Sequence, residues 1–304
     1  MHLKDKVFTS IISSPVDNSE LYFTDSSLID ENGNYFEIVD NTPILIDFND
    51  SIVKKSNSFK SCIQRSGLSI SLKSKLNLNN ITKNNSKLVR DHLSKNVNNN
   101  NLLIIGGGSI GNNSEILYSS NLFNTISMDI YNNENVDVVA DAHKIPFKSN
   151  SIGAVWIQAV LEHVLNPEIV VSEIYRVLEP GGIVYAEVPF MQPVHEGAYD
   201  FKRYSRSALR YLFRKFDLTK CGPMDGAGSA LRWSIKYLFE GLFRSRIVGK
   251  LLYYSLFPLS WIDHAIPSKY KNDSATGYFI LCSKSEKTMS PKDILGFYDG
   301  VQNQ

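Results

Sequence analysis

Leu102–Gly111 reads LLIIGGGSIG, a run of apolar residues suited to a strand buried on both faces, cut off by three consecutive glycines. Glycine lacks a Cβ, so Gly106, Gly107 and Gly108 accept turn geometries closed to other residues and let a ligand approach bare backbone. Gly106, Gly108 and Gly111 also satisfy G-x-G-x-x-G, the spacing of a dinucleotide-binding turn, and predict a helix just beyond. A glycine cluster after a strand is equally the mark of a plain turn, so the residues downstream decide.

Three more strand-like runs follow, each ending in a polar residue: TISMD at Asp129, VDVVAD at Asp141 and AVWIQ at Gln158. That rhythm predicts a parallel sheet, whose ligands bind outside the carboxyl ends of the strands, where these residues would lie. Asp129 stands about 20 residues beyond the glycines, the distance of an acid that accepts from ribose hydroxyls. A nicotinamide enzyme and a methyl-transferring enzyme both need that acid.

Asp141 leads into AHKIPF, and AVWIQAVLEHV and RVLEPGG follow in order. Together with the glycine turn, these segments resemble the class I S-adenosylmethionine-dependent methyltransferases over about residues 100–220, in particular the type 11 small-molecule enzymes. The resemblance implies an α/β fold with a doubly wound, mostly parallel, seven-stranded sheet. It implies that Gly106, Gly107 and Gly108 line the methionine part of S-adenosylmethionine, and that Asp129, with Ile130 beside it, binds the ribose. Asp141 then accepts from the adenine amino group with Ala142 alongside, and Gln158 lies near the sulfonium. Two positions depart from the family: the acid many relatives carry two residues before the first glycine is Ile104, and the Asp usual near the start of the fourth strand is Gly153.

The strand IVYAEV is followed by PFMQPVHEGAYDFKRYSRSALRYLF, which concentrates polar residues where the acceptor half of such a site is built. A similar H-x-x-x-x-D-x-x-R-Y arrangement occurs in methyltransferases encoded among bacterial cell-surface polysaccharide genes, which implies a sugar or related polar acceptor. Methylation of a hydroxyl needs a proton acceptor, and His163 and His195 are the candidates because imidazole titrates near neutrality. Asp200 would orient one of them or bind the acceptor, and Tyr199, Arg203 and Tyr204 are the candidate acceptor-binding residues. Asp200 and Arg203 equally suit an ordinary i, i+3 pair at a helix start, and His163 a loop contact. His143 is expected beside the adenine edge, and His92 facing solvent.

The remaining organisation follows from composition and punctuation. With 304 residues and 43% hydrophobic content the chain can bury a full core without staples. A net charge of +1 gives no electrostatic case for nucleic acid. Three dispersed cysteines, Cys62, Cys221 and Cys282, indicate neither a disulfide framework nor a zinc cluster and suit a reducing cytosol. No signal pattern and no long apolar run is present, so no membrane span is expected.

Residues 1–52 alternate apolar and polar residues with turn formers between them and read as a separate β-rich module. GNYFEIVDNTPILI, Gly33–Ile46, resembles a zinc-ribbon-like module that precedes some methyltransferases, with Ser14, Asp17, Ile29 and Asn32 near the places of its cysteines; a metal-free remnant is expected. Residues 53–100 form a polar linker in which LVRDHL is the helical patch. The methyltransferase region spans 101–285 and a tail 286–304.

In NPEIVVSEIYRVLEPGG, Asn166 and Pro167 open a helix, Gly181 and Gly182 close it, and Ile169, Val170, Ile174, Val177 and Leu178 form its buried face. FDLTKCG and GYFILCSK are the sixth and seventh strands, separated by a helical insertion at 227–274 that reads as one or two amphipathic helices broken by Pro258. Its aromatic, leucine and basic mixture suits a lid, a homodimer face or contact with an anionic bilayer at the inner face of the membrane, the last fitting a lipid-linked acceptor. A non-catalytic S-adenosylmethionine-binding subunit and a nicotinamide-dependent oxidoreductase are the competing readings; the second leaves AHKIPF and LEHV unexplained.

Overall fold

A computed structural model describes residues 6–24, 26–58, 80–95, 99–111 and 113–302; Cys62 and parts of the linker lie outside them. The chain builds one eleven-stranded sheet from β1 (Leu21–Phe23), β2 (Ser27–Asp30), β3 (Tyr35–Val39), β4 (Thr42–Leu45), β5 (Asn101–Ile105), β6 (Asn124–Asp129), β7 (Val138–Ala140), β8 (Ile152–Gln158), β9 (Leu178–Pro189), β10 (Phe216–Pro223) and β11 (Gly277–Lys284). Their order is β1-β2-β3-β4-β7-β6-β5-β8-β9-β11-β10, parallel from β4 to β9 and antiparallel at both ends. The seven strands β5 to β11 are the doubly wound, mostly parallel sheet expected from the sequence. The helices are α1 (Lys6–Ile11), α2 (Lys55–Ser58), α3 (Ile81–Lys95), α4 (Glu115–Tyr118), α5 (Pro167–Val177), α6 (Arg206–Leu212), α7 (Ala227–Phe243), α8 (Arg246–Ser255), α9 (Pro258–Ile262) and α10 (Ser268–Lys271).

Every residue of β5 is buried, as its unbroken apolar run requires. Its side chains alternate between two cores: Leu103 and Ile105 join α5 and α6, whereas Leu102 and Ile104 join Val89 and Leu93 of α3. Because β5 and β8 run parallel with Ile105 beside Ile157, the ends of β5, β6, β7 and β8 come out on one side of the sheet. The site is built there.

Local details differ from the sequence expectations for identifiable reasons. Ile169 is 47% exposed, and Val171 takes its place on the buried face of α5, whose sheet-facing stripe runs through Val170, Val171, Ile174 and Val177. Gly181 and Gly182 lie within the early part of β9, which begins directly at Leu178, so the helix ends by turning straight into a strand. Helix α3 extends well beyond LVRDHL and packs on the sheet with Thr82, Asn85 and Ser86 buried, a polar face that hydrophobic periodicity does not register. His92 on it is partly buried, and burial lowers its pKa. The insertion holds four helices, and Pro258 opens the third.

The N-terminal strands are continuous with the main sheet, since β4 pairs in parallel with β7 through Ile44–Val139 and Leu45–Ala140. At the ribbon-like positions, Ser14 Oγ donates to Asp30 at 2.8 Å, and Asn32 donates to Asp17. These hydrogen bonds tie the two turns together.

Candidate active site

A cavity of about 390 Å³ opens at the carboxyl ends of β5–β8. Gly106, Ser109 and Gly111 form one side, Asp129, Ile130 and Tyr131 the next, then Asp141, Ala142 and His143, with Gln158, His163, His195 and Tyr199 opposite. Gly107 and Gly108 do not line the cavity. Gly106 and Gly107 donate their N–H groups to the Met128 carbonyl at 2.9 and 3.0 Å, which pins the turn to β6. Gly106 has φ +79°, and a Cβ there would fall 2.3 Å from Val160 Cγ2. Only glycine fits.

Asp129 accepts from Gly108 N at 2.8 Å and from Tyr131 N at 3.1 Å. Burial raises its pKa against backbone hydrogen bonds from Gly108, Tyr131 and Ile130. One oxygen takes the Gly108 bond and the other the Tyr131 bond, and the carboxylate lines the cavity, where a ligand hydroxyl can donate to it. Asp141 is more heavily engaged: one oxygen accepts from His143 N at 3.0 Å and His143 Nδ1 at 2.6 Å, and the other from Ser51 Oγ. Burial opposes its ionisation, but those bonds from His143 and Ser51 hold its pKa below the ordinary value. One acceptor position remains for a ligand amino group. His143 Nε2 accepts from Asn166 N at 3.2 Å, so this imidazole is a brace between strand end and helix start.

Gln158 belongs to a network that sequence reasoning missed. Its Nε2 donates to Glu187 at 2.8 Å, and Glu187 also accepts from Thr82 Oγ1 at 2.6 Å and from the Tyr185 hydroxyl. Burial raises the Glu187 pKa. With its amide nitrogen committed, Gln158 presents its oxygen toward Gly111, whose Cβ would lie 2.1 Å from it. The signal was a lone Glu in the otherwise apolar IVYAEV. Ile52 and Val53, from the segment after β4, also line the cavity and carried no sequence signal at all.

The two family departures now have places. Ile104 lines the cavity floor and is packed in the α3-side core. Gly153 sits at the opposite end of β8 from Gln158, and a Cβ there would meet the Asn99 carbonyl at 2.4 Å. No aspartate fits at 153, and none there would reach the cavity.

On the opposite side of the cavity, Ala159 takes φ +54° and turns the chain sharply after β8, so that Val160, His163 and Val164 line it. His163 Nδ1 bonds the Tyr199 carbonyl at 2.9 Å. His195 Nδ1 lies 3.4 Å from both the Pro193 carbonyl and Asp200 Oδ2, and Asp200 accepts from His195 N at 2.9 Å. The two rings meet edge to face with centroids 4.8 Å apart. Glu162, fully buried, faces both Nε2 atoms at 3.7 Å from His163 and 3.6 Å from His195. That carboxylate raises the His195 pKa against the effect of desolvation.

Asp200 and Arg203 form a paired fork, with Nη2 at 2.8 Å, and Arg203 holds the Asp200 pKa down at about 2. The remaining Arg203 bonds go to the Gln192, Pro193 and Lys202 carbonyls, so its guanidinium ties the 190–203 loop together rather than lining the cavity. Tyr204 is buried in the core, its hydroxyl donating to the Leu161 carbonyl at 3.3 Å. Of the three candidate acceptor-binding residues, Tyr199 alone reaches the cavity.

The expected helix after the glycine turn is the single turn α4, which starts at Glu115. Ser114 and Ser119 flank it, and such turn formers do not propagate a helix.

Residues 106–186 match the model of a family described as "Methyltransferase domain". Ubiquinone/menaquinone biosynthesis C-methyltransferases of Neisseria meningitidis are 38% identical over 64 residues, 21% of this chain and 26% of theirs, so the chain spans about a quarter of the length of these curated relatives. Among solved structures, a phosphoethanolamine N-methyltransferase 2 from Haemonchus contortus in complex with S-adenosyl-L-methionine is 17% identical with a TM-score of 0.45, covering 77% of this chain and 60% of its own. The [4+2]-cyclase SpnF is 16% identical with a TM-score of 0.43, covering 67% and 81%.

Proposed function

We propose that the chain is a class I S-adenosylmethionine-dependent methyltransferase that transfers a methyl group to a polar small-molecule or glycan acceptor, a reading supported by the methyltransferase-domain match over residues 106–186. The observation that carries this reading is a single cavity with two carboxylates at one end and two imidazoles at the other. S-adenosylmethionine supplies an electrophilic methyl on its sulfonium; the chain's own residues bind, orient and exclude water.

The residues present fit that donor. Asp129 lines the cavity where a ribose diol can donate to it, and Asp141 offers a lone pair to an amino group beside the apolar Ala142 and Ile130. The Gln158 amide oxygen, oriented by Glu187 and by a 3.4 Å bond from Trp156 Nε1, faces Gly111 as an acceptor. A dinucleotide fits less well, because the one-turn α4 provides no long helix N-terminus for a pyrophosphate.

On the acceptor side His163, His195 and Tyr199 meet the incoming group, with Asp200 behind His195. Polysaccharide biosynthesis is the context suggested by the 195–204 pattern. Among the described residues no helix is long and apolar enough to cross a membrane. Leu238, Leu242, Ile247 and Leu251 are exposed on α7 and α8, which supports a lid, homodimer or peripheral membrane role for 227–274.

Calorimetry with S-adenosylmethionine, S-adenosylhomocysteine and NADH tests the reading. The first two bind, and Asp129→Asn weakens them by roughly 10- to 100-fold, the worth of charged hydrogen bonds to hydroxyls. Binding of NADH alone overturns the proposal. Donor binding without turnover on any hydroxylated or nucleotide-sugar acceptor makes the chain a non-catalytic binding subunit.

A further inference from the structure

Glu162 is an unusual residue in this cavity wall. Its side chain is fully buried, yet neither carboxylate oxygen has a hydrogen-bond partner. A buried charge without partners is costly, and such groups are paired, hydrogen-bonded or bound to a metal. What faces it are two imidazole Nε2 atoms at 3.6 and 3.7 Å, too long for hydrogen bonds.

Those imidazoles are already arranged by their other nitrogen. His163 Nδ1 lies 2.9 Å from the Tyr199 carbonyl, and His195 Nδ1 is near both the Asp200 carboxylate and the Pro193 carbonyl. Acceptors at Nδ1 hold a proton there, so Nε2 is the nitrogen that exchanges its proton for a metal ion, with the Nδ1 contact as the supporting hydrogen bond of a metal-ligating histidine. The ligand atoms of Glu162, His163 and His195 all lie within 4.8 Å of one another. Ligands about 2.1 Å from a common ion stand roughly 3–3.5 Å apart, so a small side-chain rotation closes the set.

We propose that Glu162, His163 and His195 bind a divalent transition-metal cation at the acceptor end of the cavity. Two histidines and one carboxylate suit Mn²⁺, Fe²⁺, Co²⁺ or Zn²⁺ rather than Ca²⁺, and three protein ligands leave coordination positions open. His163 and His195 line the cavity, so those positions face the place of the acceptor. The cation selects an acceptor that offers one oxygen or an adjacent pair, such as a hydroxyl or a vicinal diol. This deepens the methyl-transfer reading and rests on it for the substrate class. In place of direct proton acceptance, the two imidazoles act as ligands.

The test is calorimetric titration of the full chain with MnCl₂ and ZnCl₂, with the visible absorption of the Co²⁺ form as a second readout. One equivalent of metal binds, and His195→Gln, His163→Gln and Glu162→Gln each weaken it at least about tenfold. S-adenosylhomocysteine is titrated into the same samples. Wild-type protein and variants that bind it while the wild type takes up no metal overturn the metal site and leave the donor pocket intact. Metal binding unchanged in all three variants also overturns it. Should Glu162→Gln fail to fold, the two histidine variants decide, because His195 lies on a loop and His163 on a turn at the cavity edge.

Discussion

Gly106 shows how much one residue carries in this site. Its φ of +79° and the 2.3 Å approach of Val160 Cγ2 to where a Cβ would stand make any side chain there doubly unfavourable. Gly106→Ala is expected to destabilise the fold by about 1–2 kcal/mol from backbone strain alone, with more from displacing Val160. Urea unfolding measures the loss, and a variant as stable as wild type would show that the turn is looser than described. Asp129 and Asp141 make the complementary point, since one is half-buried, the other buried, and both already accept several hydrogen bonds. Their residue type and spacing were readable from the chain. Which acceptor positions remain was not, because that depends on Gly108 and Ser51 arriving from 21 and 90 residues away.

Among the elements, the helical insertion is the one held together by the most unusual means. The N-terminus of α7 is capped from a distance: Asp263, after α9, accepts from Gly228 N at 2.8 Å and Ser229 N at 2.9 Å. Arg232, buried, lies over the rings of Tyr253 at 4.1 Å and Phe257 at 4.6 Å, so α7 and α8 are joined by cation–π contacts as well as packing. Asp263→Ala removes the cap and leaves two N–H groups without it, that of Ser229 buried and that of Gly228 partly so, at a cost of about 1–2 kcal/mol. The expected outcome is faster amide exchange in 227–262 with the central strands unchanged; uniform protection across the insertion would refute the role of Asp263. Aromatic and basic residues announced helices here, but the long-range cap and the number of helices depend on contacts that sequence spacing does not reveal. Helix α3 was understated for a related reason: its buried Thr82, Asn85 and Ser86 answer to Glu187 and neighbouring polar groups rather than to a hydrophobic face.

Across the whole molecule, the N-terminal strands and the Asp141 end of the cavity are one structure. The β4–β7 pairing brings Ile52 and Val53 into the wall and places Ser51 on Asp141, 90 residues away in sequence. Ser51→Ala should therefore lower S-adenosylhomocysteine affinity by a few-fold, the net worth of about one hydrogen bond, while thermal unfolding moves little. Unchanged affinity would mean that the N-terminal unit is only a neighbour of the site. The sequence by itself determined the parallel sheet, the order of its seven main strands and the polar residues at their carboxyl ends, because these rest on local periodicity, glycine geometry and ordered motifs. Only the tertiary structure decided that Arg203 and Tyr204 serve the loop and core while the buried Glu162 carboxylate faces two imidazoles. Those outcomes depend on where the strained turn at Ala159 and the loop after β9 meet, and that meeting is a long-range packing event with no local signature.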